Sequence, residues 1–192
     1  MYQKRNKLDI LVMYLGDYRK QFYLRELSRI SNNPLKTTQN FLSRLEKEKI
    51  VKSMISGKNK YFKLNLDNIH TKLSLLNAEL HKTSGFIEKY PSFKTFLKDI
   101  KTNDLIIVFG SFAKLNARLD SDLDIVVVGG KNANLPFHLL PNKVHKLEIS
   151  RNNFVELMEK QEALIKEIEE SHIILNNHSL YIGLMWDYYG RK

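Results

Sequence analysis

The sequence predicts an α+β chain with two domains, namely a basic helical N-terminal domain that ends in a β-hairpin and a small α/β domain with a mixed sheet. The first observation is charge, because residues 1–66 contain 15 Lys/Arg and 5 Asp/Glu whereas residues 67–192 contain 16 of each. The second is a pair of apolar, strand-like runs around residues 105–128. With 192 residues and 43% hydrophobic content, the chain has room for one or two small cores.

Composition excludes several classes of protein. The chain has no cysteine, which rules out a disulfide framework and a thiolate metal site and suits a reducing cytoplasm. The first apolar stretch is too short and too amphipathic for a signal peptide or a membrane span. We therefore expect a cytoplasmic protein with no membrane partner.

The N-terminal third alternates helical and extended patterns. Leu8, Leu11, Val12 and Leu15 follow helical spacing. Turn residues then separate two further helical stretches, and a glycine turn separates two strand-like runs. We expect helices over 8–15, 24–30 and 35–49, and strands over 50–55 and 61–65.

This order resembles the winged helix-turn-helix of small prokaryotic regulators, with the domain at residues 1–66. The resemblance implies double-stranded DNA as partner, transcription regulation as role, and a third helix that enters the major groove. A docking module for proteins is the alternative, and the basic excess favours DNA. The expected DNA-binding residues are Lys36, Thr37, Thr38, Gln39, Asn40, Ser43 and Arg44 on the third helix, with Lys58 and Lys60 at the wing tip.

Residues 67–98 are expected to form a helical linker. Apolar residues recur at spacings of three or four from Leu66 to Leu80, and Pro91 breaks the pattern. Such a stripe suits a homodimer that binds two DNA half-sites, or packing on the second domain of the same chain. Both interpretations stay open.

The second domain carries the most informative pattern. An apolar run ends at Gly110-Ser111, and Asp122 and Asp124 follow just before a second apolar run, residues 125–128. Alternate residues of a strand point the same way, so the two carboxylates converge. Hard oxygen ligands suit Mg²⁺ or Mn²⁺. Gly110 allows close approach of a ligand, and Ser111 offers a hydroxyl and an N–H to a phosphate.

This pattern resembles the polymerase-beta-like nucleotidyltransferase superfamily, most closely its minimal nucleotidyltransferases, with the domain at 99–192. The resemblance implies that Gly110 and Ser111 hold a nucleoside triphosphate, the substrate. It also implies that Asp122, Asp124 and a carboxylate from a later strand hold Mg²⁺ or Mn²⁺ and are catalytic.

Glu148 is the candidate for that third carboxylate. In the segment 144–149, Leu147 and Ile149 would face the core and Glu148 the other side. An ordinary exposed glutamate is the alternative. Lys114, Arg118 and Ser121 are the further candidates for nucleotide binding, and the two cations would neutralise charge on the leaving pyrophosphate.

One position departs from the family pattern. Many relatives carry a glycine shortly after the basic residue that corresponds to Lys114, where this chain has Leu115 and Asn116. Asparagine tolerates left-handed backbone better than most residues, so Asn116 is expected to take that role. Further on, residues 153–170 predict one amphipathic helix.

Two functions from different classes follow. The first is a nucleotidyltransferase on a DNA-binding domain, which transfers a nucleoside monophosphate to an acceptor hydroxyl, including one on a protein. A partner encoded nearby would then indicate a toxin–antitoxin pair, in which minimal nucleotidyltransferases often occur. The second is a regulator without catalysis, whose transferase-like domain senses a nucleotide or dimerises.

Overall fold

The computed structural model describes residues 6–118, 120–130 and 135–190, and it has an α+β fold with two sheets. The chain divides into two compact units, Met1–Ala78 with Tyr189–Lys192, and Glu79–Tyr188. The division falls inside the long helix α4 (Ile69–Lys89), within the region expected as a linker. Among the described residues, no helix combines the length and the apolar character that crossing a membrane requires.

The first unit has the expected order of helices followed by a hairpin. Two strands were expected, but the sheet has three antiparallel strands in the order β1-β3-β2. The additional strand forms because Phe22 and Tyr23 pair with Phe62 and Tyr61. The elements are α1 (Leu8–Leu11), a 3-10 turn (Val12–Tyr14), β1 (Phe22–Tyr23), α2 (Leu24–Ile30), α3 (Leu35–Lys47), β2 (Val51–Ser56) and β3 (Asn59–Leu64).

Aromatic packing joins the first helix of this unit to its sheet. The Tyr14 ring lies edge-on to Phe22 at 5.0 Å between ring centroids, and the Tyr14 hydroxyl donates to the Phe62 carbonyl at 3.0 Å. Burial, with a smaller contribution from Glu26, raises the pKa of Tyr14. From α3, Leu42 and Leu45 are buried in the same unit.

The second unit is built on a mixed four-stranded sheet, order β6-β5-β4-β7, in which only β5 and β6 run parallel. A mixed sheet was the expectation, and it is confirmed. After α4 the elements are α5 (Phe93–Asp99), β4 (Leu105–Phe109), α6 (Gly110–Ala113), β5 (Leu123–Val128), a 3-10 turn (Phe137–Leu139), β6 (Val144–Ile149), α7 (Arg151–Lys160), α8 (Ala163–Glu170), β7 (Ile173–Asn176) and α9 (His178–Gly190).

The single helix expected over residues 153–170 is wrong, since the structure has two. Ser150 begins α7 by accepting a hydrogen bond from the backbone of Asn153, which is the usual role of an N-cap serine. Gln161 then adopts a left-handed backbone with φ of 52°, which ends α7 before α8 begins. A periodic pattern shows which side is apolar but not such a break.

The two faces of β5 determine where the functional residues lie. Leu123, Ile125 and Val127 pack in a buried cluster with Phe86 and Phe96. Because successive side chains of a strand alternate between faces, Asp124 projects from the opposite face of the sheet.

Candidate functional site

Gly110 directly follows β4 and meets Asp124 of the neighbouring strand. Its φ is +67°, and a Cβ atom placed there would lie 2.6 Å from the Asp124 Oδ2. Both the left-handed backbone and the close carboxylate therefore require glycine. Ser111 follows within α6, partly exposed.

Asp122 and Asp124 face one polar cavity of about 550 Å³. Asp122 immediately precedes β5, and Asp124 pairs with Phe109 at the end of β4. Their side chains are 43% and 33% exposed, so water and ligands can reach both carboxylates. The cavity is lined by Gly110, Ser111, Lys114, Asn116, Ser121, Asp122, Asp124, His145 and Glu167. The structure thus brings together six of the predicted site residues.

Glu148 is not among them, and its expected position is wrong. In the parallel pairing, Glu148 lies opposite Val127, whose side chain packs in the buried cluster. The Glu148 carboxylate forms an ion pair with the Lys146 ammonium at 2.7 Å. That ammonium lies 6.0 Å from the ring of Phe137, which packs against the same buried cluster. Leu147, expected to face the core, is 43% exposed.

His145 occupies the place expected for a third acid. It lies opposite Asp124 on β6, with its Nδ1 atom 3.5 Å from the Asp124 Oδ1. Its Nε2 atom lies 3.5 Å from the Asp122 Oδ2. One imidazole therefore spans both carboxylates. The sequence could have indicated this residue only if Val144, rather than Leu147, had been taken as the residue that packs on the core.

Of the two cations expected to bind the nucleotide, Lys114 and Arg118, only Lys114 lines the cavity. Lys114 lines the cavity, but its ammonium also pairs with Glu170 at 3.2 Å. Arg118 is exposed and does not line the cavity; its backbone N–H donates to the Ser121 hydroxyl at 2.8 Å and closes the turn before Asp122. Glu167, from the same helix as Glu170, adds an unforeseen acid to the lining.

Leu115 takes the left-handed backbone at the position where glycine was expected. Its φ is 57°, whereas Asn116 has no positive φ, so the expected role of Asn116 is wrong. The Lys89 ammonium donates to the Leu115 carbonyl and holds the turn. A left-handed leucine costs about 1–2 kcal/mol relative to glycine, which these contacts must offset.

The donor set fits one divalent ion better than two. Asp122 and Asp124 supply hard carboxylate oxygens at one cavity wall, and a nucleotide's phosphates would supply the remaining oxygens. Over the described ranges, however, no three His, Asp or Glu side chains are grouped so as to hold a metal ion. The expected arrangement of three carboxylates is therefore not present there.

The residues expected to contact DNA are mostly exposed on the first unit. Thr38 is the correction, because it is fully buried and its hydroxyl donates to the Pro34 carbonyl at 3.2 Å. Thr37 is half-buried, and Lys60 is engaged with Glu46 at 3.1 Å. The exposed members are Lys36, Gln39, Asn40, Ser43 and Arg44 on α3, Lys58 in the hairpin turn and Lys60 on β3.

Comparison with known proteins supports the assignment of the second unit. Residues 92–179 match the family model described as polymerase beta, nucleotidyltransferase. No match was found among curated proteins. A solved structure of TrmBL2, described as an archaeal chromatin protein with a novel mode of DNA binding, is 13% identical with a TM-score of 0.27, covering 97% of this chain and 93% of that chain. So low a likeness supports no inference about function.

Proposed function

We propose that this chain is a DNA-binding regulator whose nucleotidyltransferase-type domain binds a nucleoside triphosphate with Mg²⁺ or Mn²⁺ as a signal and does not transfer it. The observation that carries the proposal is His145, which faces Asp122 and Asp124 where transfer would call for a further carboxylate.

Support for nucleotide binding comes from the cavity and its glycine. The residues 92–179 match a nucleotidyltransferase family, and the cavity is polar and open at Gly110-Ser111. Ser111 would donate to a phosphate, and Lys114 would reach a phosphate if it left Glu170. Asp122 and Asp124 would hold the ion, which when bound screens the negative charge of the phosphates.

Support for binding without transfer comes from the chemistry of the facing residue. Two-metal phosphoryl transfer needs carboxylates that clamp the attacking and leaving oxygens. Glu148 lies on the other side of the sheet. His145 stands where the third carboxylate was expected, and its imidazole adds no negative charge. Glu167 also lines the cavity, but among the described residues it is not grouped with Asp122 and Asp124 so as to hold a metal ion. Asp122 and Asp124 are therefore expected to suffice for binding and not for transfer.

Support for a DNA partner comes from charge and exposure. In the first unit, residues 1–66 carry 15 Lys/Arg and 5 Asp/Glu, a net charge of +10, whereas the charges of residues 67–192 balance. Its helix α3 presents Lys36, Gln39 and Arg44 to solvent, residue types that read base edges or phosphates. As a winged helix-turn-helix, this unit would place α3 in the major groove.

Binding is tested by titrating a fluorescent ATP analogue into the full chain with and without Mg²⁺ or Mn²⁺. The wild type is expected to bind with metal, and Asp122→Asn with Asp124→Asn is expected to lose the metal-dependent part. Asp120→Asn is the matched control, because Asp120 is exposed and does not line the cavity. Unchanged binding in the double variant would remove the nucleotide site.

Transfer is the second candidate, since the family match itself favours it. An assay distinguishes transfer from binding without transfer, in which the chain is incubated with labelled ATP, Mg²⁺, duplex DNA and candidate protein acceptors. Only an enzyme yields a labelled product and pyrophosphate. The wild type is expected to yield neither. His145→Asp supplies the missing carboxylate and is expected to gain measurable transfer, whereas His138→Asp, exposed and away from the cavity, is not. Product formation by the wild type would contradict our proposal and show that the chain is a nucleotidyltransferase.

A further inference from the structure

A second cavity of about 350 Å³ lies within the first unit, and cations surround it. Arg19 and Gln21 come from the segment before β1, Lys52 from β2 and Lys63 from β3. Asp67 is the one carboxylate among the described residues that lines this cavity. Nothing in the nucleotide or DNA proposals accounts for this cluster, which we call the basic cleft.

The two lysines of the basic cleft stand directly opposite each other. Lys52 pairs in register with Lys63 across the antiparallel strands, so both ammonium groups project from one face of the sheet. Like charges placed directly opposite each other on a sheet destabilise it. The Lys52 ammonium pairs with Asp67 at 2.5 Å. In the described part of the chain, no carboxylate lies within salt-bridge distance of Lys63.

Asp67 relieves only part of this repulsion. The hydrogen bond and charge of Lys52 lower the pKa of the Asp67 carboxyl, and the charge of Lys63 acts in the same direction. One ionised carboxylate against Arg19, Lys52 and Lys63 leaves two uncompensated positive charges around the cavity. An anion with two negative charges would complete the balance.

Arg19 is held in position beside the cleft. Its guanidinium lies 5.3 Å from the centre of the Tyr189 ring and donates to the Tyr189 carbonyl at 3.4 Å. Tyr189 in turn stacks on Tyr18, with 5.0 Å between ring centroids. A guanidinium fixed by stacking keeps other N–H groups for a ligand, and its planar fork matches the oxygens of a phosphate.

The floor of the basic cleft is apolar. Leu66 and Tyr18 supply its apolar side chains, Leu66 half-buried and Tyr18 buried, while Leu64 lines the cleft from a strand position whose side chain turns inward with Phe62. Small-molecule sites typically combine such an apolar lining with a few polar groups in a cavity of about 300–1,000 Å³. We propose that the basic cleft binds a small phosphomonoester with an apolar or aromatic body.

The basic cleft lies on the side of the sheet away from α3. Ser53 and Phe62, which alternate with Lys52 and Lys63 along the strands, face inward: the Ser53 hydroxyl bonds Glu46 of α3, and Phe62 is buried. DNA held along α3 would therefore approach the other side, which separates this site from the DNA surface.

Titration calorimetry of phenyl phosphate into the full chain tests the inference. Binding is expected to saturate at one molecule per chain, and inorganic phosphate is expected to bind more weakly because it leaves the apolar floor uncovered. Lys63→Met is expected to weaken phenyl phosphate binding roughly tenfold. Lys47→Met is the matched control, since Lys47 is exposed on α3 outside the cleft and its loss changes the net charge equally.

Four outcomes would overturn the inference. The first is the absence of saturable binding, and the second is an equal loss of affinity in Lys47→Met, which would mean a general charge effect. The third is loss of binding in Asp122→Asn with Asp124→Asn, which would place the probe in the other cavity. Competition by duplex DNA together with equal loss of DNA affinity in Lys63→Met would identify the surface as a DNA backbone contact instead.

Discussion

The Glu79 carboxylate and the His172 imidazole form a fully buried pair in the second unit, with 2.8 Å between Oε1 and Nε2. The Nδ1 atom of His172 lies 2.7 Å from the Ile168 carbonyl, so both ring nitrogens face oxygen atoms. The pair joins α4 to the short segment between α8 and β7, which is far away in the sequence.

Glu79→Gln is expected to lower the free energy of unfolding by about 3–5 kcal/mol, because it leaves a buried imidazole without its carboxylate partner. Urea denaturation followed by circular dichroism measures the change. Glu88→Gln removes a carboxylate from the exposed side of the same helix and is expected to change stability by about 0.5 kcal/mol or less. Equal effects of the two substitutions would contradict the role of the pair.

The same pair predicts how stability depends on pH. Burial disfavours the charged carboxylate, but the charge and hydrogen bond of His172, with Lys82 and His178, lower the pKa of Glu79 below its ordinary value of 4.5. A lowered carboxyl pKa contributes stability that is complete above the unfolded-state pKa and is lost as pH falls through the folded-state pKa. The free energy of unfolding is therefore expected to decrease as pH falls below 4.5.

Urea denaturation at a series of acidic pH values measures this dependence. The decrease is expected to be smaller in Glu79→Gln, which has no carboxyl to protonate there. Parallel pH profiles of the wild type and the variant would show that other carboxylates cause the acid sensitivity.

Gly110→Ala is expected to abolish binding of the ATP analogue and to destabilise the chain. Its Cβ would lie 2.6 Å from the Asp124 Oδ2, so the carboxylate must move, and the backbone would be left-handed. Gly57→Ala is the matched control, since Gly57 has φ of +60° but no atom within 4 Å of an added Cβ. The control incurs only the backbone cost, about 1–2 kcal/mol. Equal destabilisation by both, with nucleotide binding intact, would contradict the close approach.

Arg44→Gln is expected to weaken binding to duplex DNA and to reduce the slope of log affinity against log salt by about 1 if Arg44 contacts a phosphate. Fluorescence anisotropy with a labelled duplex at several salt concentrations provides both quantities. Lys98→Gln changes the charge equally on α5 of the second unit and is expected to leave both unchanged. A uniform effect of the two variants would indicate nonspecific attraction to the whole chain.

The strands β4 and β5 were predictable because each combines a continuous apolar run with a polar boundary, at Gly110 and at Asp122. Which side of β6 packs on the core could not be predicted, because Val144 and Leu147 are both apolar but lie on opposite faces of the strand. Only their burial in the structure shows that Val144 faces the core. Thr38 was assigned to the outer side of α3 because a threonine there is polar in either orientation, whereas its hydroxyl bonds backward to Pro34.

The position of β6 at the edge of its sheet affects how the cavity at Asp122 and Asp124 could evolve. Among the described strands, β6 pairs only with β5, and Val144 packs inward, so which side chain faces the two acids depends on the register of β6 as much as on residue identity. A change at Val144 that slid the strand by one place would turn His145 away and present a lysine in its stead, altering the chemistry of the cavity without touching any residue that lines it.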